Sequence, residues 1–230
     1  MQASRLRAAR PASGSDWHAR SEAMRRIGLF GGTFDPPHVG HLVLAECARD
    51  RLALDEVRFI PAGQPPHKPG RRISGAAQRV AMARLAVRGN RGFSVSTMET
   101  RRGGPSFTIE TLREVAADVP RARLFLLMGA DSLDEFATWR EPEAILRLAT
   151  LAVAKRPGVA PRAIRHRKAV SARATSSVRG PRIEWLDNAE IAVSSSIVRT
   201  RVREGRSIRY LVTDPVASYI ARHRLYRGRP

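Results

Sequence analysis

Short apolar runs alternate with stretches of helical spacing along most of this chain, and that alternation restricts the fold more than any other feature. Ile27-Gly28-Leu29-Phe30 is an apolar run halted by Gly31-Gly32, as a buried strand stopped by a turn would be. Val39, Leu42, Val43, Ala45, Ala48 and Leu52 then recur at helical intervals, which predicts a helix over Val39–Leu52. The same reading gives strands at Glu56–Pro61, Phe93–Thr97, Arg123–Met128, Thr150–Ala154 and Ile183–Leu186. It gives helices at Ala76–Val87, Thr108–Ala117, Asp131–Phe136, Pro142–Leu148, Ser195–Glu204 and Pro215–Arg222. Strands joined through helices build an α/β, doubly wound parallel sheet covered on both faces. Here it ends in a small helical part over residues 195–226. Ligands of such sheets bind beyond the carboxyl ends of the strands, so the segments after Phe30, Ile60, Met128 and Leu186 should line one cleft.

Residues 27–230 suffice for one well-buried domain. Residues 1–26 are rich in Ala, Arg and Ser without apolar periodicity, and are expected to be a disordered basic extension. Residues 156–181 hold no acidic residue and several Gly, Pro and Ser, so a mobile basic loop is expected there. No apolar run approaches the roughly 20 residues of a membrane-spanning helix, and residues 1–26 lack the apolar middle of a secretory signal. A single cysteine, Cys47, excludes an intramolecular disulfide and a cysteine-built zinc site. These features predict a soluble cytoplasmic protein with no membrane partner, and leave its oligomeric state open, a homo-oligomer included.

A formal net charge of +20 raises the question of nucleic acid. Lys68, Lys155 and Lys168 are the only lysines, so nearly all the positive charge is arginine spread from end to end rather than gathered in a patch. Nucleic-acid binding also expects aromatics interleaved on the basic surface, and aromatics make up only 6% of the chain. The same charge would draw in anionic small substrates.

The chemistry is concentrated in Gly31-Gly32-Thr33-Phe34-Asp35-Pro36-Pro37-His38-Val39-Gly40-His41. Paired glycines let the backbone approach a ligand without a Cβ in the way, and the prolines hold the loop extended before the helix. The helix then begins near His38 to Gly40, where unpaired N–H groups and the dipole favour an anion. His38 and His41, three apart, face one side of the first turn. Beside a polyphosphate their charged forms would be favoured, and they could stabilise charge building up in a transition state. Zinc ligation by the pair would need a third ligand, and no suitable residue is near.

This string resembles the signature of the HxGH nucleotidyltransferases, and its longer form GGTFDPPHVGHL is similar to that of the bacterial nicotinate mononucleotide adenylyltransferases. The resemblance runs from Ile27 to Tyr226. It includes Pro61–Lys68, Gln78–Met82, Gly104–Leu112, Gly129–Ser132 with Trp139, Lys155–Gly158 and Ser194–Arg199. It implies a Rossmann-like fold and transfer of AMP from ATP to nicotinate mononucleotide, giving nicotinate adenine dinucleotide and pyrophosphate in NAD synthesis. Mg²⁺ would arrive with ATP, held mainly by phosphates, with no metal site in the protein itself.

Carried over by position, the resemblance gives His38, His41 and Arg199 catalytic roles on the phosphates. Gly31, Gly32, Thr33, Phe34, Gly40, Gly129, Asp131, Ser195 and Ser196 would bind ATP, with Asp131 on a ribose hydroxyl. Lys68, Thr108 and Trp139 would bind the acceptor, Trp139 by stacking on its pyridine ring. Plainer readings exist: helix capping for Ser195–Ser196 and Asp131, packing for Trp139, a solvated charge for Lys68. Phe107 and Ser196 depart from the family's usual Tyr and Thr, losing a hydroxyl and a methyl. Rival acceptors are nicotinamide mononucleotide and phosphopantetheine. A cytidylyltransferase is disfavoured because Ser195–Arg199 lacks that group's Arg-Thr-x-Gly-Ile-Ser pattern, and intact His38 and His41 argue against a purely regulatory nucleotide binder.

Overall fold

The computed structural model describes residues 24–64, 73–154, 183–187, 189 and 191–227. Lys68, nearly all of the N-terminal extension and the whole of residues 156–181 therefore lie outside the described residues. The strands are β1 (Arg26–Gly32), β2 (Glu56–Pro61), β3 (Phe93–Val95), β4 (Arg123–Gly129), β5 (Ala149–Ala154) and β6 (Ile183–Leu186). They form one sheet in the order β3-β2-β1-β4-β5-β6, with every neighbouring pair parallel. Parallel neighbours require crossovers. Helices α1 (Val39–Arg51), α2 (Ala76–Val87), α4 (Thr108–Asp118) and α6 (Pro142–Leu148) supply four of them.

Period-two alternation sends successive strand residues to opposite faces. Ile27, Leu29, Leu124, Leu126, Met128, Leu151 and Val153 pack on one face against Ile109, Leu112 and Val115 of α4 and Ile145 of α6. Phe30, Val57, Phe59, Phe125, Leu127, Ala152 and Ala154 pack on the other against Ala45 and Ala48 of α1. Because both faces are covered, β5 is buried at every position, which is why it is apolar at all but Thr150 rather than alternating. Each fully buried Leu, Ile, Val or Phe contributes about 1.5–3 kcal/mol.

The last two helices, α7 (Ser195–Arg203) and α8 (Asp214–Arg222), are not an appendage. Val198, Val212, Val216 and Ile220 share a core with Met82 and Ala86 of α2, and Leu42 of α1 and Tyr226 pack on it. Two local features differ from the sequence expectation. Gly31 and Gly32 are the last residues of β1 rather than a turn, because pairing with β2 continues to Gly32↔Pro61. A one-turn helix, α3 (Met98–Arg101), occupies a stretch without periodicity. The Asp35–Pro36 peptide in the loop after β1 is cis.

Candidate active site

β1 pairs with β4 only as far as Leu29↔Leu126, although β1 continues along β2 and β4 continues along β5 to Gly129↔Ala154. The two central strands therefore part at their carboxyl ends, at the point where strand order reverses. A cavity of about 560 Å³ opens there. Gly31, Gly32 and Thr33 line it from β1 and the following loop, and Gly129 and Ser132 from the end of β4 and α5 (Ala130–Asp134). Its far wall is Glu99, Ser106, Phe107, Thr108, Thr111, Thr138, Trp139 and Arg140. Thr108 and Trp139 thus line one cavity, and Arg140, set over the Phe107 ring at 4.7 Å and bonded to Glu110 at 3.1 Å, joins them. Asp131 lies in the first turn of α5, exposed, and does not line this cavity. The residue capping α5 is Gly129, so the capping alternative for Asp131 is not what the helix uses.

Beside the cavity runs the loop from Thr33 to His38. His38 caps α1, and its backbone N–H donates to His41 Nδ1 at 3.1 Å. That nitrogen carries no proton in this arrangement, which assigns the proton of the neutral ring to Nε2 and makes it a donor. The two imidazoles stack with centroids 3.7 Å apart. Gly40 permits this approach: a Cβ there would press on the His38 ring, 3.1 Å from Nδ1. Phe34 is placed in the loop by its ring. Its side chain is 2% exposed and packs edge-on against Phe30 and His41, so only its backbone could reach a nucleotide.

The charged imidazoles expected beside a polyphosphate start, for His38, from a neutral ring in the protein alone. Burial lowers the His38 pKa to about 4, so the ring is neutral near pH 7. His38 Nδ1 is buried and has no hydrogen-bond partner among the described residues. The unfolded chain, with its histidine near 6.5, takes up this proton before the folded one does. The stability that His38 contributes is therefore present above about pH 6.5 and is lost as pH falls toward 4, by about 3 kcal/mol. Urea titrations at pH 7 and pH 4 on the wild type and on His38→Asn should differ in pH dependence by about that amount. Identical dependence in the two proteins would remove His38 as its source.

Side chains distant in sequence fix the loop. Arg79, 2% exposed, donates to the carbonyls of Thr33 (3.0 Å), Gly63 (3.1 Å) and Ser74 (3.0 Å). Arg199 Nη1 donates to Asp35 O at 2.7 Å, and Ser195 Oγ to Pro36 O at 2.8 Å. With the Thr33, Asp35 and Pro36 carbonyls bonded to protein donors, the negative ends of these peptides are committed away from an incoming anion. Arg199 and Ser195 are thus loop ties as well as phosphate candidates. Ser196 Oγ accepts from Arg199 Nη2 at 3.1 Å, and the cap of α7 is Ser194, whose Oγ accepts from Ile197 N–H at 3.2 Å.

Four polar or ionisable groups had no role assigned from sequence: the buried Asp35, Arg79 and Glu99 and the partly buried Tyr226. Glu99 is 7% exposed and accepts from Thr111 Oγ1 at 2.7 Å. Burial raises its pKa, while bonds from Thr111 and Ser106 and the charge of Arg102 oppose the rise. Ser106 Oγ in turn accepts from Gly63 N–H at 3.0 Å, so Glu99 ties the loop after β2 to the far wall of the cavity. No local pattern shows what these side chains bind, because most of their partners are remote in the chain.

A parallel sheet in this strand order, a cleft at its switch point and a His-x-Gly-His helix start define a nucleotidyltransferase. Comparison with known proteins carries this to a family. The cytidylyltransferase-like family matches residues 29–201. A protein of Thermomicrobium roseum named "Probable nicotinate-nucleotide adenylyltransferase" is 45% identical over 204 residues, covering 89% of this chain and 92% of its own. One of the same name from Citrifermentans bemidjiense is 44% identical, over 87% of this chain and 98% of its own. The chain belongs to the cytidylyltransferase-like family and, within it, to the nicotinate-nucleotide adenylyltransferases. Plasmodium falciparum nicotinic acid mononucleotide adenylyltransferase complexed with NaAD superposes with a TM-score of 0.72 at 15% identity, over 88% of this chain and 97% of its own. At that identity the likeness speaks for the fold.

Proposed function

We propose that this protein transfers the adenylyl group of ATP to the 5′-phosphate of nicotinate mononucleotide, forming nicotinate adenine dinucleotide and pyrophosphate in NAD biosynthesis. The observation that carries this reading is the single cavity running from Gly31–Thr33, beside the phosphate loop, to the start of α4 and Trp139. Two substrates bound at its two ends would meet over the parted strands. An oxygen of the acceptor phosphate attacks the α-phosphorus of ATP, and the bond from that phosphorus to the bridging oxygen of the β-phosphate breaks. Catalysis then rests on holding two anions in line and stabilising the developing charge. His41, with its Nε2 proton, and the Gly40 N–H in the first turn of α1 suit the ATP phosphates, whereas the N–H of Val39 is given to Leu211 O and that of His41 to His38 O, each at 2.9 Å. Arg199 supports the loop and can share the same charge.

Among the described residues, no group of three or more His, Cys, Asp or Glu side chains is placed to hold a metal. In this proposal Mg²⁺ is carried by the phosphates of ATP, where it neutralises charge on the leaving pyrophosphate. No described helix is long and apolar enough to cross a membrane, and action in the cytoplasm is part of the same proposal.

Acid is favoured over amide at the far wall. Thr108 opens α4, and Phe107 at its cap offers no side-chain bond to the first N–H groups. Those donors suit a carboxylate, and Arg140 adds positive charge nearby. Trp139 would stack on the pyridine ring, and Lys68, outside the described residues, is proposed for the acceptor phosphate. Pyrophosphate release with nicotinate mononucleotide, nicotinamide mononucleotide and phosphopantetheine in parallel tests the assignment. The expected result is a kcat/KM for the acid at least about tenfold above that for the amide, the scale of one lost charged hydrogen bond. Preference for the amide would overturn the acid assignment.

A further inference from the structure

The end of the chain reaches into the phosphate loop. Asp35 is 4% exposed. Its Oδ1 accepts from the Tyr226 hydroxyl at 2.6 Å, its Oδ2 from the Ser74 backbone N–H at 3.2 Å, and its carbonyl from Arg199 at 2.7 Å. Tyr226 is four residues from the C-terminus, separated from Asp35 by 191 positions. Its backbone φ is 62°, and that of Arg224 is 49°. Bulky side chains rarely adopt such values, and retained backbone outliers tend to mark places where geometry matters. The ring packs on the α2–α7–α8 core, with the hydroxyl 3.8 Å from Met82 Sδ.

We propose that Tyr226 is a positioning residue for ATP: its hydroxyl fixes Asp35, and through Asp35 it fixes the phosphate loop and Arg199. The proposal rests on the reading of this loop as the ATP-phosphate site. The bond joins a carboxyl that also anchors Ser74, next to the Arg79 hub, so one interaction sets the loop against both α2 and α7. Burial, with the adjacent Asp35, raises the Tyr226 pKa, so the hydroxyl remains a donor through the working pH range. A residue acting this way serves the nucleotide and not the far wall of the cavity.

The test is Tyr226→Phe, which removes one oxygen and keeps the ring, measured on the full chain by ATP binding calorimetry and by steady-state kinetics. The expected result is a Kd and KM for ATP raised about tenfold, as for loss of a charge-assisted hydrogen bond, with the acceptor KM within about twofold. Asp35→Asn and the double variant complete a cycle. Action through Asp35 predicts that the double variant is no worse than the poorer single one. A lowered melting temperature with unchanged ATP constants would reduce Tyr226 to a packing role and overturn the proposal, as would additive effects in the cycle. A wild type that binds no ATP would instead remove the reading on which it rests, an outcome visible before any variant is made.

Discussion

His41→Ala is expected to lower kcat by about 10²–10³-fold, the scale for removing one preorganised donor to a developing oxyanion. Two losses combine. The Nε2 donor disappears from the start of α1, and the His38 N–H loses the acceptor it has at 3.1 Å. Folding should survive, because the ring borders the aromatic cluster of Phe30 and Phe34 without being enclosed by it. KM values for both substrates should move much less than kcat if the donor acts chiefly in the transition state. Turnover near that of the wild type, in a protein with an unchanged melting curve, would take His41 out of the chemistry.

Arg79→Met should have the largest effect on stability. The guanidinium serves carbonyls on three segments, at Thr33, Gly63 and Ser74. Methionine keeps much of the volume but offers no donor, so those acceptors must find water or move. Leaving a buried acceptor without its donor costs about 1–3 kcal/mol, so the three carbonyls together put several kcal/mol at stake, a large share of a typical total of roughly 5–15 kcal/mol. Urea denaturation would read this directly. Because Gly63 leads into the wall held by Ser106 and Glu99, affinity for both substrates should fall as well. A stability loss under about 1 kcal/mol, the net value of one ordinary hydrogen bond, would show that the three carbonyls do not depend on Arg79.

The architecture was largely legible. Strands Glu56–Pro61 and Ile183–Leu186 and helices Ala76–Val87 and Pro142–Leu148 agree with the sequence reading at both ends. Clear apolar periods, bounded at several ends by Pro or Gly, gave local physics enough to place them. The one-turn α3 was not legible, since four residues show no period, and its place is set by burial of Met98 and Glu99. Gly31 and Gly32 looked like a turn because glycine breaks isolated strands, whereas here continued pairing with β2 keeps them extended. At the candidate site, the histidines, Thr108 and Trp139 were singled out through a compact motif and a family likeness. Asp35 stood inside that motif with no role. Arg79, Glu99 and Tyr226 act through partners brought together only by the tertiary fold.

The most direct measurement is the product itself. The protein is incubated with ATP labelled at the α-phosphate, Mg²⁺ and nicotinate mononucleotide, and the products are separated. The account predicts label in nicotinate adenine dinucleotide, an equal amount of pyrophosphate, and no label on the protein, since the acceptor phosphate attacks directly. No pyrophosphate above a protein-free control, or label held covalently by the chain, would contradict it.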